Sequence, residues 1–147
     1  MNIEYFGDLC IIAMKGTEKF LENVDAYLKQ WRKDDSRESY VVKADLPRFG
    51  TGEGKAVLSE TMRGRDVYIF SDPFNYSVTY KMYGMMTPMS PDDHFQDLKR
   101  VVCAIEGKAH RISVIMPMLY EGRQHKRSSR ESLDCAMALQ EMVSMGV

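Results

Sequence analysis

The sequence predicts an α/β domain: a three-layer sandwich with a mostly parallel sheet and one antiparallel hairpin, formed by residues 1–147 as a single unit. Two observations predict this fold class. Short apolar runs of strand length alternate along the chain with amphipathic segments of about four helical turns. A glycine-rich turn also lies between two β-like runs, which favours antiparallel pairing there. The length is typical of one domain, and neither an internal repeat nor a low-complexity linker divides it.

An apolar run and an amphipathic segment predict the first strand and the first helix. Residues 9–14 have strand length, and Gly16 and Thr17 then open the helix. Thr17 is the expected N-cap, and Glu18 lies in the first turn, where a carboxylate is stabilising. The charged stretch 32–38 indicates a solvated loop. Six apolar residues at helical spacing are expected to form the buried face: Phe20, Leu21, Val24, Tyr27, Leu28 and Trp31.

A hairpin and a buried strand are predicted next. The β-like run 40–44 and the alternating run 55–60 flank a glycine-rich turn at 46–54. A polar turn follows at 61–65. The apolar run 66–70 then has the composition of a strand that is buried on both faces.

The segment 71–89 has no clear periodicity, is rich in Tyr and Met, and contains Pro73 and Pro88. We therefore expect a long loop with a little helix, and long ordered loops are often functional. Its methionine cluster is interpreted as packing or subunit contact and not as a metal site, because Met fills irregular apolar gaps. The cluster consists of Met82, Met85, Met86 and Met89.

The second half of the chain begins with a strong helix start at residues 90–93, where Ser90 is the N-cap, Pro91 is at N1 and two carboxylates lie in the first turn. Gly107 suits the end of this helix. A strand is predicted over 111–116. The apolar stripe of the helix consists of Phe95, Leu98, Val102 and Ile105.

A basic loop from Arg123 to Arg130 follows that strand. Ser128 and Glu131 have capping-box spacing and predict the start of the last helix. Because ligands of open α/β sheets bind beyond the carboxyl ends of the strands, and helix N-termini attract anions, the loop is a candidate phosphate site. The alternative is a solvated basic loop. The last helix is expected to be amphipathic, and the residues that give it this pattern are Leu133, Ala136, Met137, Gln140 and Met142.

The turn from Phe49 to Glu53 is the second candidate site. Its glycines permit close backbone approach, Phe49 can stack on a base, and Glu53 can accept a hydrogen bond from an amino group. A hairpin turn needs the same glycines, so a purely structural role stays open.

Composition excludes several other classes. The formal net charge of −1 gives no indication of nucleic acid or membrane binding, and no segment has transmembrane length and apolarity. The start lacks the pattern of a secretory signal, which favours the cytoplasm. We expect Cys10, Cys103 and Cys135 to be buried without disulfides, and His94 and His110 to be surface residues. No metal-binding spacing is present.

Several segments, in order, resemble the ribose-phosphate pyrophosphokinases (phosphoribosyl pyrophosphate synthetases). The glycine-rich turn resembles their Arg-Phe-Ser-Asp-Gly-Glu, and 60–67 resembles Glu-Ser-Val-Arg-Gly-x-Asp-Val. The segment 122–126 is similar to Ala-Arg-Gln-Asp-Arg/Lys. Further similar segments are 92–98, 111–117 and 129–132.

The resemblance implies the type I phosphoribosyltransferase fold, as the first of two copies in a full-length enzyme. That enzyme would transfer diphosphate from ATP to ribose 5-phosphate with Mg²⁺, and would form homo-oligomers. By position, Arg123 and Gln124 would contact ATP, and Phe49 and Glu53 would reach the adenine of ATP on a neighbouring subunit. The positions implied for a regulatory phosphate are Thr61, Arg63, Ser129 and Arg130.

The sequence also departs from the family pattern. Thr51 and His125 stand where Asp is usual, Glu121 replaces an aromatic residue, and the segment 71–89 is longer than the common form. The second domain of such an enzyme is absent from this chain, so we expect the chain alone to lack a complete active site and to supply no catalytic residue or metal ligand. A non-catalytic regulatory homologue that assembles with active subunits is the alternative. A stand-alone α/β domain with an unrelated ligand is a third possibility.

Overall fold

A computed structural model describes residues 6–33 and 37–147. Within those ranges the chain forms eight strands and three helices. In chain order they are β1 (Asp8–Ala13), α1 (Glu18–Arg32), β2 (Val41–Val42), β3 (Ala44–Asp45), β4 (Val57–Leu58), β5 (Arg65–Phe70), β6 (Thr79–Met82), β7 (Met85–Pro88), α2 (Pro91–Ile105), β8 (Arg111–Ile115) and α3 (Asp134–Ser144).

Four strands form a parallel sheet in the order β2-β1-β5-β8. Strand β1 is in register with β5, so that Cys10 lies opposite Val67 and Ile12 opposite Ile69. Two small antiparallel sheets, β3–β4 and β6–β7, complete the strands. The predicted fold class is confirmed. The hairpin expected around the glycine-rich turn is β3–β4, but Val41 and Val42, in the run predicted for its first strand, pair in parallel with β1 instead.

The larger hydrophobic core lies between one face of the sheet and helices α2 and α3. Alternate residues of the strands point to this side, as the period of two requires. Cys10, Ile12, Val67 and Ile69 are completely buried there, together with Leu98 of α2. Full burial of each such aliphatic side chain contributes about 1.5–3 kcal/mol, so this layer anchors the domain.

The other face of the sheet packs against α1, but more loosely than predicted. Leu21 is the apolar residue of α1 that is fully buried, and it lies against Ile11 and Tyr40. The expected six-residue buried face is therefore wrong in part, because three of its aromatic side chains face outward. Phe20, Tyr27 and Trp31 expose 52%, 58% and 73% of their surfaces.

The start of α2 is predicted correctly from the sequence. The Ser90 hydroxyl accepts a hydrogen bond from the N–H of Asp93 at 3.1 Å, and the Asp93 carboxylate accepts from the N–H of Ser90 at 2.8 Å. This is the capping box, with Pro91 at N1. At the start of α1, Thr17 occupies the N-cap position, but its hydroxyl donates to the carbonyl of Met14 and makes no capping bond.

Two predicted elements are corrected. Residues 71–89 contain the hairpin β6–β7 and no helix, and its tight turn places Tyr83 and Gly84 at φ 47° and 84°. Both strands are largely exposed, so they lack the alternation that reveals a strand. Helix α3 begins at Asp134 with Leu133 at the N-cap, so the start predicted at Ser128 is wrong.

Burial differs from expectation at two polar or reactive side chains. Cys10 and Cys135 are buried as predicted, and all three cysteines are free, but Cys103 is exposed on α2. His94, predicted to be a surface residue, is 3% exposed, with Nε2 lying 3.0 Å from the carbonyl oxygen of Asn75. His110 is exposed as predicted. Among the described residues, no helix combines the length and apolarity needed to cross a membrane.

Candidate functional site

The carboxyl edge of the parallel sheet has a topological switch point between β1 and β5, where α/β folds commonly bind ligands. In this chain the loop after β1, on one side of that crevice, is closely packed. A Cβ added to Gly16, in the loop after β1, would lie 2.6 Å from the Asn75 amide and 2.7 Å from the Val78 side chain. The segment that leads into β6 therefore packs directly on the loop after β1.

A groove of about 360 Å³ opens next to the segment that follows β8. Phe74 and Pro91 form one part of its lining, and residues 118–122 form another. Arg123 also lines the groove and is exposed, so the first cation of the basic loop lies over a concave surface and not on a flat one. The groove is the size of small-molecule sites.

Tyr120 fixes the start of this segment. Its ring stacks on Phe95 with a centroid separation of 4.2 Å, and its hydroxyl donates to Asp92 at 2.6 Å. Burial, followed by this hydrogen bond, raises the pKa of Tyr120 far above its ordinary value, so the phenol stays a donor at all physiological pH values. Glu121 then takes φ 56°, which turns the chain into the basic loop.

Gln124 closes the loop onto the start of α3. Its side-chain amide donates to the carbonyl of Ser132 at 2.8 Å, and its own carbonyl accepts from the N–H of Cys135 at 3.2 Å. Asp134 adds a carboxylate in the first turn of α3. One N–H of this helix start is thus already bonded, and the Asp134 carboxylate offsets part of its positive potential.

The rest of the loop is cationic and faces solvent. The Glu131 carboxylate accepts from the N–H groups of Ser128 and Ser129, which forms a turn ahead of α3. Within the described part of the chain no carboxylate pairs with the Lys and Arg side chains of the loop. These side chains are exposed: Arg123, Lys126, Arg127 and Arg130.

The glycine-rich turn is the second candidate site. The N–H of Phe49 donates to the carbonyl of Glu53 at 2.7 Å, and the N–H of Gly52 donates to the carbonyl of Phe49 at 2.9 Å. Gly52 has φ 93°, which a residue with a Cβ rarely adopts. The Phe49 ring is 57% exposed, and the Thr51 hydroxyl donates to one oxygen of the Glu53 carboxylate. An exposed ring and a carboxylate oxygen that has no partner in residues 6–33 and 37–147 thus lie on one turn.

Arg48, which sequence reasoning missed, attaches this turn to the domain. Its guanidinium donates to the buried Asp97 carboxylate at 2.9 Å, donates to the carbonyl of Gly52 at 3.3 Å, and lies 4.8 Å from the centroid of the Tyr80 ring. Arg100 donates to the other oxygen of Asp97 at 2.6 Å. The sequence feature that could have indicated this contact is Asp97, which lies on the apolar face of a predicted helix. A buried carboxylate there requires a cationic partner.

The four positions implied for a regulatory phosphate are not brought together. Thr61 and Arg63 precede the amino end of β5, and the Thr61 hydroxyl accepts from the N–H of Arg63. Ser129 and Arg130 lie between the carboxyl end of β8 and α3. Across residues 6–33 and 37–147 no hydrogen bond or ion pair joins the two pairs, so one chain by itself does not form this site. In the same ranges no three His, Cys, Asp or Glu side chains cluster as metal ligands would.

Comparison with known proteins adds the family context. Residues 9–146 match a family model described as the N-terminal domain of ribose phosphate pyrophosphokinase. Among solved structures, the chain is similar to phosphoribosylpyrophosphate synthetase from Mycobacterium smegmatis, with a TM-score of 0.70 and 18% sequence identity. The similarity covers 95% of this chain and 40% of that one, so it concerns the fold of one part of a longer protein. No curated protein matches the chain.

Proposed function

The chain belongs to the ribose phosphate pyrophosphokinase family, whose N-terminal domain it matches over nearly its whole length, and we propose that it is the nucleotide-handling domain of such an enzyme. The complete enzyme would transfer the β,γ-diphosphoryl group of ATP to the 1-hydroxyl of ribose 5-phosphate. The observation that carries the proposal is a run of exposed, unpaired cations, within the described part of the chain, whose first member lies over a groove beside β8.

The proposed chemistry asks for charge neutralisation and positioning. The 1-hydroxyl oxygen of the sugar bonds to the β-phosphorus, the bond from that phosphorus to the oxygen bridging the α- and β-phosphates breaks, and AMP leaves as the hydroxyl loses its proton. Phosphoryl transfer of this kind gains most of its rate from held geometry and from cations on the phosphate oxygens. A domain that presents arginines to the phosphates contributes to both.

Arg123 is proposed to bind the phosphates of ATP, because a guanidinium fork matches phosphate oxygens and this one lines the groove without an ion-pair partner among the described residues. Gln124 is proposed to act with it. Because its amide nitrogen is bonded to Ser132, its contribution to ATP would come from the side-chain oxygen or from holding Arg123 in place.

The glycine-rich turn is proposed to bind the adenine of ATP that is held by a neighbouring subunit. Phe49 offers an exposed ring for stacking, and the second oxygen of Glu53 is free to accept from an exocyclic amino group. Thr61, Arg63, Ser129 and Arg130 are proposed as contacts of a regulatory phosphate or ADP. Since these four residues are divided between two parts of one chain, that site would need a homo-oligomer, which we also propose, in the cytoplasm.

Magnesium is proposed to reach this domain through the phosphates of ATP. The described residues lack a cluster of carboxylates or histidines that fits a metal ion, so the Mg²⁺ that such an enzyme uses is assigned to the phosphates and to parts of the enzyme outside this chain. This domain would act on the nucleotide through its cationic and aromatic side chains.

The proposal is tested by ATP titration of the chain with matched variants. Arg123→Ala should weaken ATP binding about tenfold, as expected for the loss of one charge-assisted bond. Arg127→Ala removes an exposed cation from the same loop but not from the groove lining, and should change the affinity less than about twofold. Equal losses in both variants would indicate unspecific attraction, and absence of ATP binding to the parent chain would contradict the proposal.

The alternative is a regulatory homologue that binds nucleotide or phosphate and assembles with active subunits. It is favoured by Thr51 and His125, which replace carboxylates that the family pattern carries in its two nucleotide-binding segments. Mixing the chain with an active ribose-phosphate pyrophosphokinase separates the two functions. A regulatory subunit changes the rate of the partner in proportion to the chain added, whereas an isolated enzyme domain leaves it unchanged.

A further inference from the structure

The hairpin β6–β7 lies directly against the glycine-rich turn. The backbone N–H of Tyr83, at the tip of the hairpin, donates to the carbonyl of Gly50 at 2.8 Å. A Cβ added to Gly52 would lie 3.0 Å from the Met82 sulfur and 3.4 Å from the Tyr80 ring. The tip of the hairpin and the turn therefore form one packed unit.

Tyr83 holds an unusual position at that tip. Its φ of 47° is in the left-handed region, and the next residue, Gly84, has φ 84°. Two-residue hairpin turns of this type favour Asn or Asp followed by Gly, because an ordinary side chain is strained at the first position. The side chain of Tyr83 is 74% exposed and makes no ring contact or hydrogen bond within the described residues. A strained residue whose side chain contributes nothing to the fold indicates a role outside it.

We propose that Tyr83 is a base-contacting residue of the nucleotide site, acting beside Phe49 on the unit formed by the hairpin and the turn. The proposal rests on the function proposed above, since the ligand is the nucleobase of the nucleoside triphosphate. Two exposed aromatic side chains, on segments joined by a backbone hydrogen bond, are suited to the faces of a planar base. Because Thr51 offers no carboxylate, Glu53 is the residue of the turn that is proposed to bond to the base edge, and stacking on the two rings would supply most of the affinity.

Arg48 keeps the two parts of this unit at a fixed spacing. Its guanidinium donates hydrogen bonds to the carbonyl of Gly52 in the turn and to the carboxylate of Asp97 in α2, and it lies over the ring of Tyr80 in the hairpin. The Tyr80 hydroxyl also reaches Asp93 at 3.4 Å. A site whose parts are held before the ligand arrives loses less entropy on binding. Arg48 is thus a positioning residue of the same site.

The test compares three variants of the chain by titration with ATP, GTP and UTP. Asn suits the left-handed backbone at this position, so Tyr83→Asn should keep or raise the melting temperature. The same variant should bind each of the three nucleotides about tenfold more weakly. Tyr76→Asn is the matched control, because Tyr76 is also well exposed but lies outside both the turn and the hairpin, and its affinities should stay within about twofold. Phe49→Ala reports on the turn itself.

The outcomes separate the two proposals. If Phe49→Ala weakens binding and Tyr83→Asn does not, the hairpin has no part in base binding and this inference is overturned, while the proposed function stands. If Phe49→Ala and Tyr83→Asn both leave the affinity unchanged, the turn is not the base site, and both this inference and the proposed adenine contacts of the turn are overturned; the proposed function itself fails only if the parent chain does not bind ATP or if Arg123→Ala and Arg127→Ala lose equal affinity. Loss of affinity in Tyr83→Asn without loss of stability, with Tyr76→Asn unchanged, establishes the role of Tyr83.

Discussion

Removing the Asp97 carboxylate should destabilise the domain more than loss of any surface ion pair. Asp97 is 2% exposed at its side chain and accepts from two arginines, Arg48 at 2.9 Å and Arg100 at 2.6 Å. In Asp97→Ala, Arg48 would stay buried with a positive charge. Among the described residues it would keep the carbonyl of Gly52 as its hydrogen-bond acceptor, and its Nε is already buried there without a partner. Arg100 is one-fifth exposed and can turn toward solvent.

Breaking a buried pair in this way costs about 3–5 kcal/mol, because the charge left behind is neither solvated nor paired. In a domain of this length each kcal/mol lowers the melting temperature by about 2–4 °C, so a decrease on the order of 10 °C is expected. Urea denaturation gives the free energy of unfolding, and circular dichroism during heating gives the melting temperature.

The control is Asp45→Ala. Asp45 pairs with Lys43 at 3.1 Å, but both side chains are mostly exposed, and such pairs contribute about 0–1 kcal/mol. A second variant, Arg48→Met with Asp97→Leu, removes the charges together and should recover most of the stability while leaving the turn without its link to α2. If Asp97→Ala unfolds no more easily than Asp45→Ala, Arg48 is not trapped in a dry environment, and its pairing with Asp97 does not fix the position of the turn.

Two further predictions concern titratable side chains. Cys103 is exposed, whereas Cys10 and Cys135 are buried, so the native protein should react rapidly with a disulfide reagent at Cys103 alone. Cys103→Ser should abolish that reaction, and Cys10 and Cys135 should react once the protein unfolds. Rapid labelling of either buried thiol in the native protein would contradict the structure. Burial would raise the pKa of Asp25, but its hydrogen bonds, first that from Lys29, outweigh burial and hold the pKa below its usual value. The stabilisation that Asp25 contributes is therefore present above about pH 4 and is lost as the pH falls further. Asp25→Asn should flatten this acid part of the curve of unfolding free energy against pH, and an unchanged curve would show that the Asp25 carboxylate is not stabilised by its hydrogen bonds.

The candidate sites differ in how far the sequence reveals them. The basic loop after β8 is visible as a charge run, and its position near the carboxyl edge of the sheet follows from the order of elements. The groove beside this loop cannot be predicted from the local sequence, because Phe74 and Pro91, which line it, lie in other segments of the chain. That Arg123 lines this groove without an ion-pair partner among the described residues could not be predicted for the same reason. The start of α3 is mispredicted because Glu131 forms a local turn with Ser128 that has the spacing of a helix cap.

The glycine-rich turn is recognisable from its composition, but its surroundings are not. Arg48 is separated from Asp97 by 49 residues, and the Tyr83 N–H reaches back to Gly50, so no local pattern relates them. The sequence predicts a loop over 71–89 because both strands of the hairpin are exposed, and an exposed strand has no reason to alternate polar and apolar residues.

The sequence alone determined the class of fold, three of the four strands of the central sheet, the start of α2 and the family, since each depends on the spacing of residues along a short stretch of chain. The tertiary structure decided which face of α1 is buried, that His94 and Asp97 lie inside, that the segment before β6 packs on the loop after β1, and that the hairpin rests on the glycine-rich turn. These features depend on contacts between segments far apart in the chain, and the free energy of such contacts is set by the packing of the whole domain.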